Sequence, residues 1–291
     1  MLSQKDIHFL MHNAISAAYQ AGSIIRTYRG KNFKQNKKSG MDGLAAEIVT
    51  EVDIKAEAVI LDTLSYSCKI FDIAMLTEES PDDLNRQKKE YFWCIDPIDG
   101  TLYYSRNHAG YSVSIALVAK NGTPVISVIY DPYNDKLYTA SARSAAKINN
   151  KVTSSLNKDK KVITIILDPD KIEHKSYQKP LTSLKDSFSQ QGFNVVKILT
   201  FGGSVMNAVK TLENSPACYF KLPKENQGGG CVWDFAASSG IFTAQKFICT
   251  DINGNNLNLN PENSLYFNQY GVVFSTHEFI AKTIYEMYKA I

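Results

Sequence analysis

The sequence predicts an α/β protein built in two lobes: an α+β lobe over residues 1–150 and an α/β lobe over 151–291. Three observations carry that reading. The chain opens on an apolar repeat of helical period, residues 70–141 hold a dense series of strand signals, and beyond about residue 161 strands and helices alternate. At 291 residues the chain stands at the upper limit for one core, so one large domain or two fused lobes is expected.

Taken in order, Ile7, Met11, Ala14, Ile15, Ala18, Gly22 and Ile25 recur at helical spacing between polar residues and predict an amphipathic helix over 4–29 rather than a signal peptide. A basic, glycine-containing loop over 30–43 follows. Residues 46–52 then alternate like a strand, and Asp53 stands before Ala56, Val59, Ile60 and Leu64 as the cap of a second helix. Strands are expected at 71–76, 91–95, 112–119, 125–130 and 136–140, with turn formers at Asn121-Gly122, Asp131-Pro132 and Asn134-Asp135. The polar stretch 149–161 is the expected boundary. After it, strands at 162–167, 194–199, 217–220, 247–250 and 271–275 alternate with helices at 176–190, 204–212, 233–244 and 277–289.

Composition narrows the function. No apolar run approaches the ~18 residues of a membrane span. A net charge of +3 and aromatic-poor basic stretches at 26–38 and 147–161 argue against a nucleic-acid polymer as partner. Five cysteines, at 68, 94, 218, 231 and 249, are an odd number without a Cys-x-x-Cys pair; they read as small core side chains, and a reducing cytoplasm is the expected compartment.

The chemistry lies in three acid-bearing segments: Leu76-Thr77-Glu78-Glu79-Ser80, Asp96-Pro97-Ile98-Asp99-Gly100-Thr101 and Trp233-Asp234-Phe235. In each, an apolar run delivers a carboxylate to what reads as a strand end. Pro97 fixes its own φ and Gly100 permits a tight turn, so Asp96 and Asp99 are close enough to share a metal. Hard dications such as Mg²⁺ take oxygen ligands and keep several waters, so a few carboxylates and a carbonyl suffice. Amides after Gly100 offer a phosphate seat at a short helix start. An Asp-Pro dipeptide alone is usually a turn, and Asp131-Pro132 and Asp168-Pro169 are read so. His108 reads as a surface or packing residue.

These three segments resemble the signatures of the inositol monophosphatase superfamily of Mg²⁺-dependent, lithium-sensitive phosphatases, which includes inositol monophosphatases, 3′(2′),5′-bisphosphate nucleotidases and fructose-1,6-bisphosphatases. The resemblance runs from Val49-Thr50-x-x-Asp53 to Trp233-Asp234. It implies a layered αβαβα sandwich and commonly a homodimer, with the first lobe holding metal and the second completing the site. It implies that Glu78, Asp96 and the Ile98 carbonyl bind one Mg²⁺, that Asp96, Asp99 and Asp234 bind a second, and that Glu78 with water holds a weaker third. Thr101, paired with Asp53, would help Glu78 polarise the attacking water, while the Gly100 and Thr101 amides receive the phosphate of a small soluble ester.

The substrate end departs from the family. Where inositol monophosphatases carry a sugar-contacting Glu, Ala217-Cys218-Tyr219-Phe220 is followed by Lys221 and an inserted stretch over 222–230. Lys221 would suit a second anionic group, which favours a bisphosphate such as 3′-phosphoadenosine 5′-phosphate, or else it points to solvent above a flexible loop. Gly203 and Ser204 stand where the family contacts substrate near a helix start, and Tyr103 and Tyr104 either stack on a base or pack. The readings set against each other are an inositol-phosphatase-like phosphomonoesterase, a bisphosphate nucleotidase, and a non-catalytic binding or regulatory protein on the same fold. A calcium protein is a weaker option, since the alternating ligands of an EF-hand loop are missing.

Overall fold

The computed structural model describes residues 2–31, 35–37, 48–152 and 161–291. Most of the basic loop expected over 30–43, the start of the strand expected over 46–52 and much of the boundary expected over 149–161 lie outside the described residues.

Helix α1 (Gln4–Tyr28) starts at Ser3, whose hydroxyl accepts from the Asp6 amide while the Asp6 carboxylate accepts from the Ser3 amide. This reciprocal box satisfies two otherwise orphaned donors. A two-stranded ribbon, β1 (Gln35–Lys37) with β2 (Ile48–Thr50), leads into helix α2 (Glu51–Phe71). The helix therefore begins three residues before the position that Asp53 as its cap would set. Asp53 is not its cap but sits inside the first turn with Glu51, where acidic side chains favour the positive end of the helix dipole.

The first sheet runs in chain order: β3 (Ala74–Thr77), β4 (Tyr91–Asp99), β5 (Ser112–Ala119), β6 (Pro124–Asp131), β7 (Lys136–Ser141), β8 (Ser144–Ile148) and β9 (Lys151–Val152). Its β3/β4 pair is parallel and the rest antiparallel. Strands β8 and β9 fall outside the sequence expectation. They bury only Ala146 and so show no apolar alternation.

After α3 (Thr101–Ser105), the chain builds a second sheet from β10 (Val162–Ile166), β11 (Val195–Leu199), β12 (Ala217–Lys221), β13 (Ile248–Thr250) and β14 (Val272–Ser275), in the order β11-β10-β12-β14-β13. Strands β11, β10 and β12 are parallel, and β14 runs antiparallel to both of its neighbours. The remaining helices are α4 (Pro169–Ile172), α5 (Lys175–Gln190), α6 (Ser204–Glu213), α7 (Val232–Ala244) and α8 (Glu278–Lys289).

Alternation along β4 fixes the layers. Trp93 and Ile95 face a core shared with Leu10, Ala14, Ala21, Ile60 and Leu64 of α1 and α2. Phe92 and Cys94 face the opposite core, with Val205 and Val209 of α6, Phe235 and Phe242 of α7, and Tyr219 and Phe274 of the second sheet. The far face of that sheet, through Ile163, Ile165 and Val273, packs on Leu184 of α5 and Ile284 of α8. The result is an αβαβα sandwich, as the resemblance implied. Helix α7 is apolar almost all round because it lies between two sheets. Phe242 stands 5.0 Å edge-on from Phe274, so Phe242→Ala would cost about 3–5 kcal/mol.

Candidate metal centre

The parallel β3/β4 pair carries Glu78 and the Asp96–Thr101 segment to the same end of the sheet, where the Glu78 amide donates to the Ile95 carbonyl at 3.2 Å. Strand β4 does not stop at residue 95. It runs on to Asp99 through an irregularity, with Asp96 opposite Ser114 and Asp99 opposite Ser112. The Asp96 carboxylate accepts from the Ile98 amide at 2.9 Å, folding the segment back on itself. Gly100 then turns the chain with φ +85°, and a Cβ there would lie 2.6 Å from the Gly110 carbonyl oxygen. Thr101 opens α3, and its hydroxyl lies 3.1 Å from Asp53 Oδ1 and 3.0 Å from the Ile98 carbonyl, so both acceptors compete for its one proton.

Asp99 joins the two sheets. Its Oδ1 accepts from the Ser204 amide at 3.1 Å and its Oδ2 from the Val205 amide at 3.0 Å, so the carboxylate closes the N-terminus of α6. The approach is so close that a Cβ on Gly203 would fall 2.3 Å from Asp99 Oδ2. Asp234 is not at a strand end. It is the third residue of α7, where its Oδ2 accepts from the Cys231 amide at 2.6 Å, a capping geometry that suits an acid. One oxygen each of Asp96, Asp99 and Asp234 lie within 4.8 Å of one another.

These acids repel one another. Burial, then the charges of Glu78, Asp99 and Asp234, push the Asp96 carboxyl well above the usual range. Burial and Asp234 do the same to Asp99, opposed by Lys221. Burial and Glu78 push Asp234 up to about 6. The donors are all oxygen, they converge within the reach of one ion, and their repulsion would be reversed by a dication. The residues therefore fit a hard metal ion such as Mg²⁺.

Behind the acids lies a polar network that the sequence did not disclose. Asp168, read as a turn residue, caps α4, and its Oδ1 accepts from Asn207 Nδ2 and from the Tyr219 hydroxyl, each at 3.0 Å. Asn207 is fully buried and uses its carbonyl for the Phe201 and Gly202 amides. Lys221 does not point to solvent: its Nζ lies 3.1 Å from Asp168 Oδ2 and 2.9 Å from Ser204 Oγ. Glu57 is the other residue missed; it accepts from the Glu79 amide at 3.0 Å and pins the loop bearing Glu78. Its spacing four residues after Asp53, on one face of α2, was an available signal.

The remaining expected residues fall as follows. The Ser204 amide is engaged by Asp99 and its hydroxyl by Lys221. Tyr104 packs, donating its hydroxyl to the Ile25 carbonyl, whereas Tyr103 is half-buried beside Thr200. His108 is exposed. The inserted stretch 222–230 is tied at both ends, through the Lys224 amide to Asn268 O at 2.7 Å and the Phe267 amide to Gly230 O at 3.0 Å.

The αβαβα sandwich sets two sheets around an acid cluster in which Asp96 and Asp99 are buried and Asp234 is half-buried, and comparison with known proteins narrows the family. The chain belongs to the inositol monophosphatase family, whose model matches residues 6–289. It is similar to inositol-1-monophosphatase of Synechocystis, 29% identical over 206 residues that cover 68% of this chain and 69% of that protein. It is also similar to Nus factor SuhB of Escherichia coli strain K12, 35% identical over 144 residues; that match spans 49% of this chain and 51% of SuhB. Among solved structures, the extragenic suppressor protein suhB of Bartonella henselae shares the fold with a TM-score of 0.74 at 23% identity, covering 97% of this chain and 99% of that one. Thermotoga maritima IMPase does so with a TM-score of 0.69 at 20% identity, covering 95% and 96%. Among the described residues, no helix is long and apolar enough to cross a membrane.

Proposed function

We propose that the chain is a Mg²⁺-dependent phosphomonoesterase that hydrolyses a small soluble phosphate ester. The observation that carries this reading is the convergence of Asp96, Asp99 and Asp234 within 4.8 Å, beside Glu78 and the Asp53–Thr101 pair. Glu78, Asp96 and the Ile98 carbonyl would hold one ion, Asp96, Asp99 and Asp234 a second, and Glu78 a weaker third. Bound there, the ions supply charge neutralisation for the phosphate and a more acidic water. Thr101, held by Asp53, would orient the attacking water together with Glu78, and the Gly100 and Thr101 amides would receive the phosphate oxygens. Phosphoryl transfer asks mainly for such alignment and charge stabilisation.

Lys221 is paired with Asp168 and Ser204, and because a paired ammonium is a weaker anion receptor this supports a monophosphate ahead of a bisphosphate. The reading extends to a cytoplasmic homodimer, which light scattering at micromolar protein checks. The names Nus factor and extragenic suppressor protein on two relatives state no hydrolytic activity, and they support a non-catalytic regulatory role as the second reading.

Phosphate release from inositol 1-phosphate, 3′-phosphoadenosine 5′-phosphate and fructose 1,6-bisphosphate, with Mg²⁺, with chelator and with added Li⁺, separates the two. Magnesium-dependent, lithium-inhibited release is expected, fastest on the monophosphate. Folded protein that releases nothing with any dication would overturn the proposal in favour of the regulatory role.

A further inference from the structure

Lys221 ends β12 and turns its ammonium inward, with a side chain only 12% exposed. Two of its contacts are fixed: Ser204 Oγ at 2.9 Å and Asp168 Oδ2 at 3.1 Å. Ser204 in turn donates its amide to Asp99 Oδ1, so the cation stands one residue behind the acid cluster. Asp168 is itself clamped, since Asn207 and Tyr219 occupy its Oδ1 and leave Oδ2 to the lysine. The ring of Phe235, next in sequence to Asp234, lies 5.8 Å from the ammonium.

The charge is retained in this setting. Burial works against it, but Asp168 and Asp234 outweigh burial and hold the Lys221 pKa above the usual lysine value. The ammonium reaches the cluster through Ser204, whose hydroxyl accepts from Lys221 while its amide donates to Asp99. A lone cation here would neutralise much of the cluster; the partner Asp168 tempers it.

We propose that the Lys221–Asp168 pair sets the affinity of the carboxylate cluster for its dications, Lys221 acting as a built-in competitor for their negative charge and Asp168 limiting that competition. The inference rests on the metal reading of Asp96, Asp99 and Asp234. Lys221 is thus a positioning residue of the electrostatic kind: it holds Ser204 and Asp168 and acts through the charge it places behind Asp99. Removing it makes the site more negative by one unit, and removing the Asp168 charge makes it less negative by one.

The test is direct titration of metal-stripped protein with Mn²⁺, a hard-donor stand-in for Mg²⁺, by calorimetry or by the spin signal of free Mn²⁺, without substrate. Lys221→Met is expected to tighten binding roughly tenfold, the scale of a partly compensated unit charge at an effective dielectric of about 20. Asp168→Asn should weaken it by a similar factor of about ten, and the double variant should return near the wild-type value. Lys221→Arg, which keeps the charge, should bind as wild type. A purely structural pair would give loss of binding in both single variants, so unchanged or weaker binding in Lys221→Met overturns the inference. If Lys221→Met does not fold, Lys221→Gln takes its place, and unchanged or weaker binding there overturns it. Wild-type protein that takes up no Mn²⁺ at millimolar concentration overturns this inference and the metal-dependent reading together, whereas wild-type binding with unshifted variants overturns only the inference.

Discussion

Asp96-Pro97 and Asp131-Pro132 are the same dipeptide on the same sheet, each with a buried aspartate near the end of a strand, and they do opposite things. Asp131 is fully buried, and its carboxylate accepts from the Tyr133 amide at 3.0 Å, the Asn134 amide at 3.1 Å and Asn134 Nδ2 at 2.8 Å. All three donors come from the next three residues, so the acid completes a turn and asks for nothing further. Asp96 has one local donor, the Ile98 amide, and otherwise faces Glu78, Asp99 and Asp234. Burial is common to both. What separates the turn from the candidate metal centre is whether the neighbours supply hydrogen-bond donors or more negative charge.

That contrast breaks most sharply under substitution to the amide. Asp96→Asn should lower turnover by a factor on the order of 10³ or more if Asp96 is, as proposed, a ligand shared by both ions, because it removes that ligand and the charge that offsets them. In chelator the same variant should be at least as heat-stable as wild type, since one member of a repelling cluster has been neutralised. Steady-state phosphate release and thermal unfolding with and without Mg²⁺ measure the two effects. Near-normal activity in a folded Asp96→Asn protein would remove the metal assignment.

The pH dependence of the metal-free protein is the second test. Asp234 has a folded-state pKa of about 6 against an ordinary aspartate value of 3.8, so between those limits the folded state holds a proton that the unfolded chain gives up. Its contribution is complete below about pH 4 and is lost as pH rises through 6, a loss of about 3 kcal/mol for a shift of this size. Asp96 and Asp99 shift in the same direction. With chelator present, Tm should therefore fall between pH 5 and pH 7.5, and Mg²⁺ should raise Tm more at pH 7.5 than at pH 5. Equal Mg²⁺ shifts at both values would mean that the acids do not bind the ion.

Asp131→Asn is the counterpart, with a smaller expected effect. The amide turns an NH₂ toward donors, leaving at least one of them unsatisfied, and should cost about 1–3 kcal/mol of stability in a urea titration. Turnover per folded molecule and its Mg²⁺ dependence should stay within about twofold of wild type. Were Asp131→Asn to lose activity as Asp96→Asn does, the distinction drawn from neighbours would collapse.

How much of this was legible in the sequence depends on chain distance. Asp96, Asp99, Gly100 and Thr101 lie within one short segment, so their joint geometry could be reasoned from Pro97 and Gly100 alone. The apolar runs of the strands were legible for the same local reason, and β8 and the edge strand β9 were not because one buried residue between them leaves no pattern. Asp168 and Asn207 stayed hidden. Their link crosses from the end of β10 to α6, and nothing near Asp168-Pro169 distinguishes it from a turn. The seating of Asp99 on α6, 105 residues away, and the inward turn of Lys221 likewise depend on how the second sheet docks over the first. Sequence patterns report which residues a strand end carries; the partners that set their charge balance come from packing.

Thr101 tests the finest part of the contrast, a hydroxyl placed between a buried acid and a backbone carbonyl. Its oxygen stands 3.1 Å from Asp53 Oδ1 and 3.0 Å from the Ile98 carbonyl, 48 and 3 residues away along the chain. Thr101→Ala deletes the hydroxyl but leaves every carboxylate of the cluster, so metal affinity should change little. If the hydroxyl orients the attacking water, kcat should fall about tenfold with KM nearly unchanged, a loss confined to the transition state. Thr101→Ser should restore most of it, because the serine hydroxyl reaches the same two acceptors. An alanine variant with full kcat would leave the Asp53–Thr101 pair a structural clasp between α2 and α3, no different in kind from the turn that Asp131 completes.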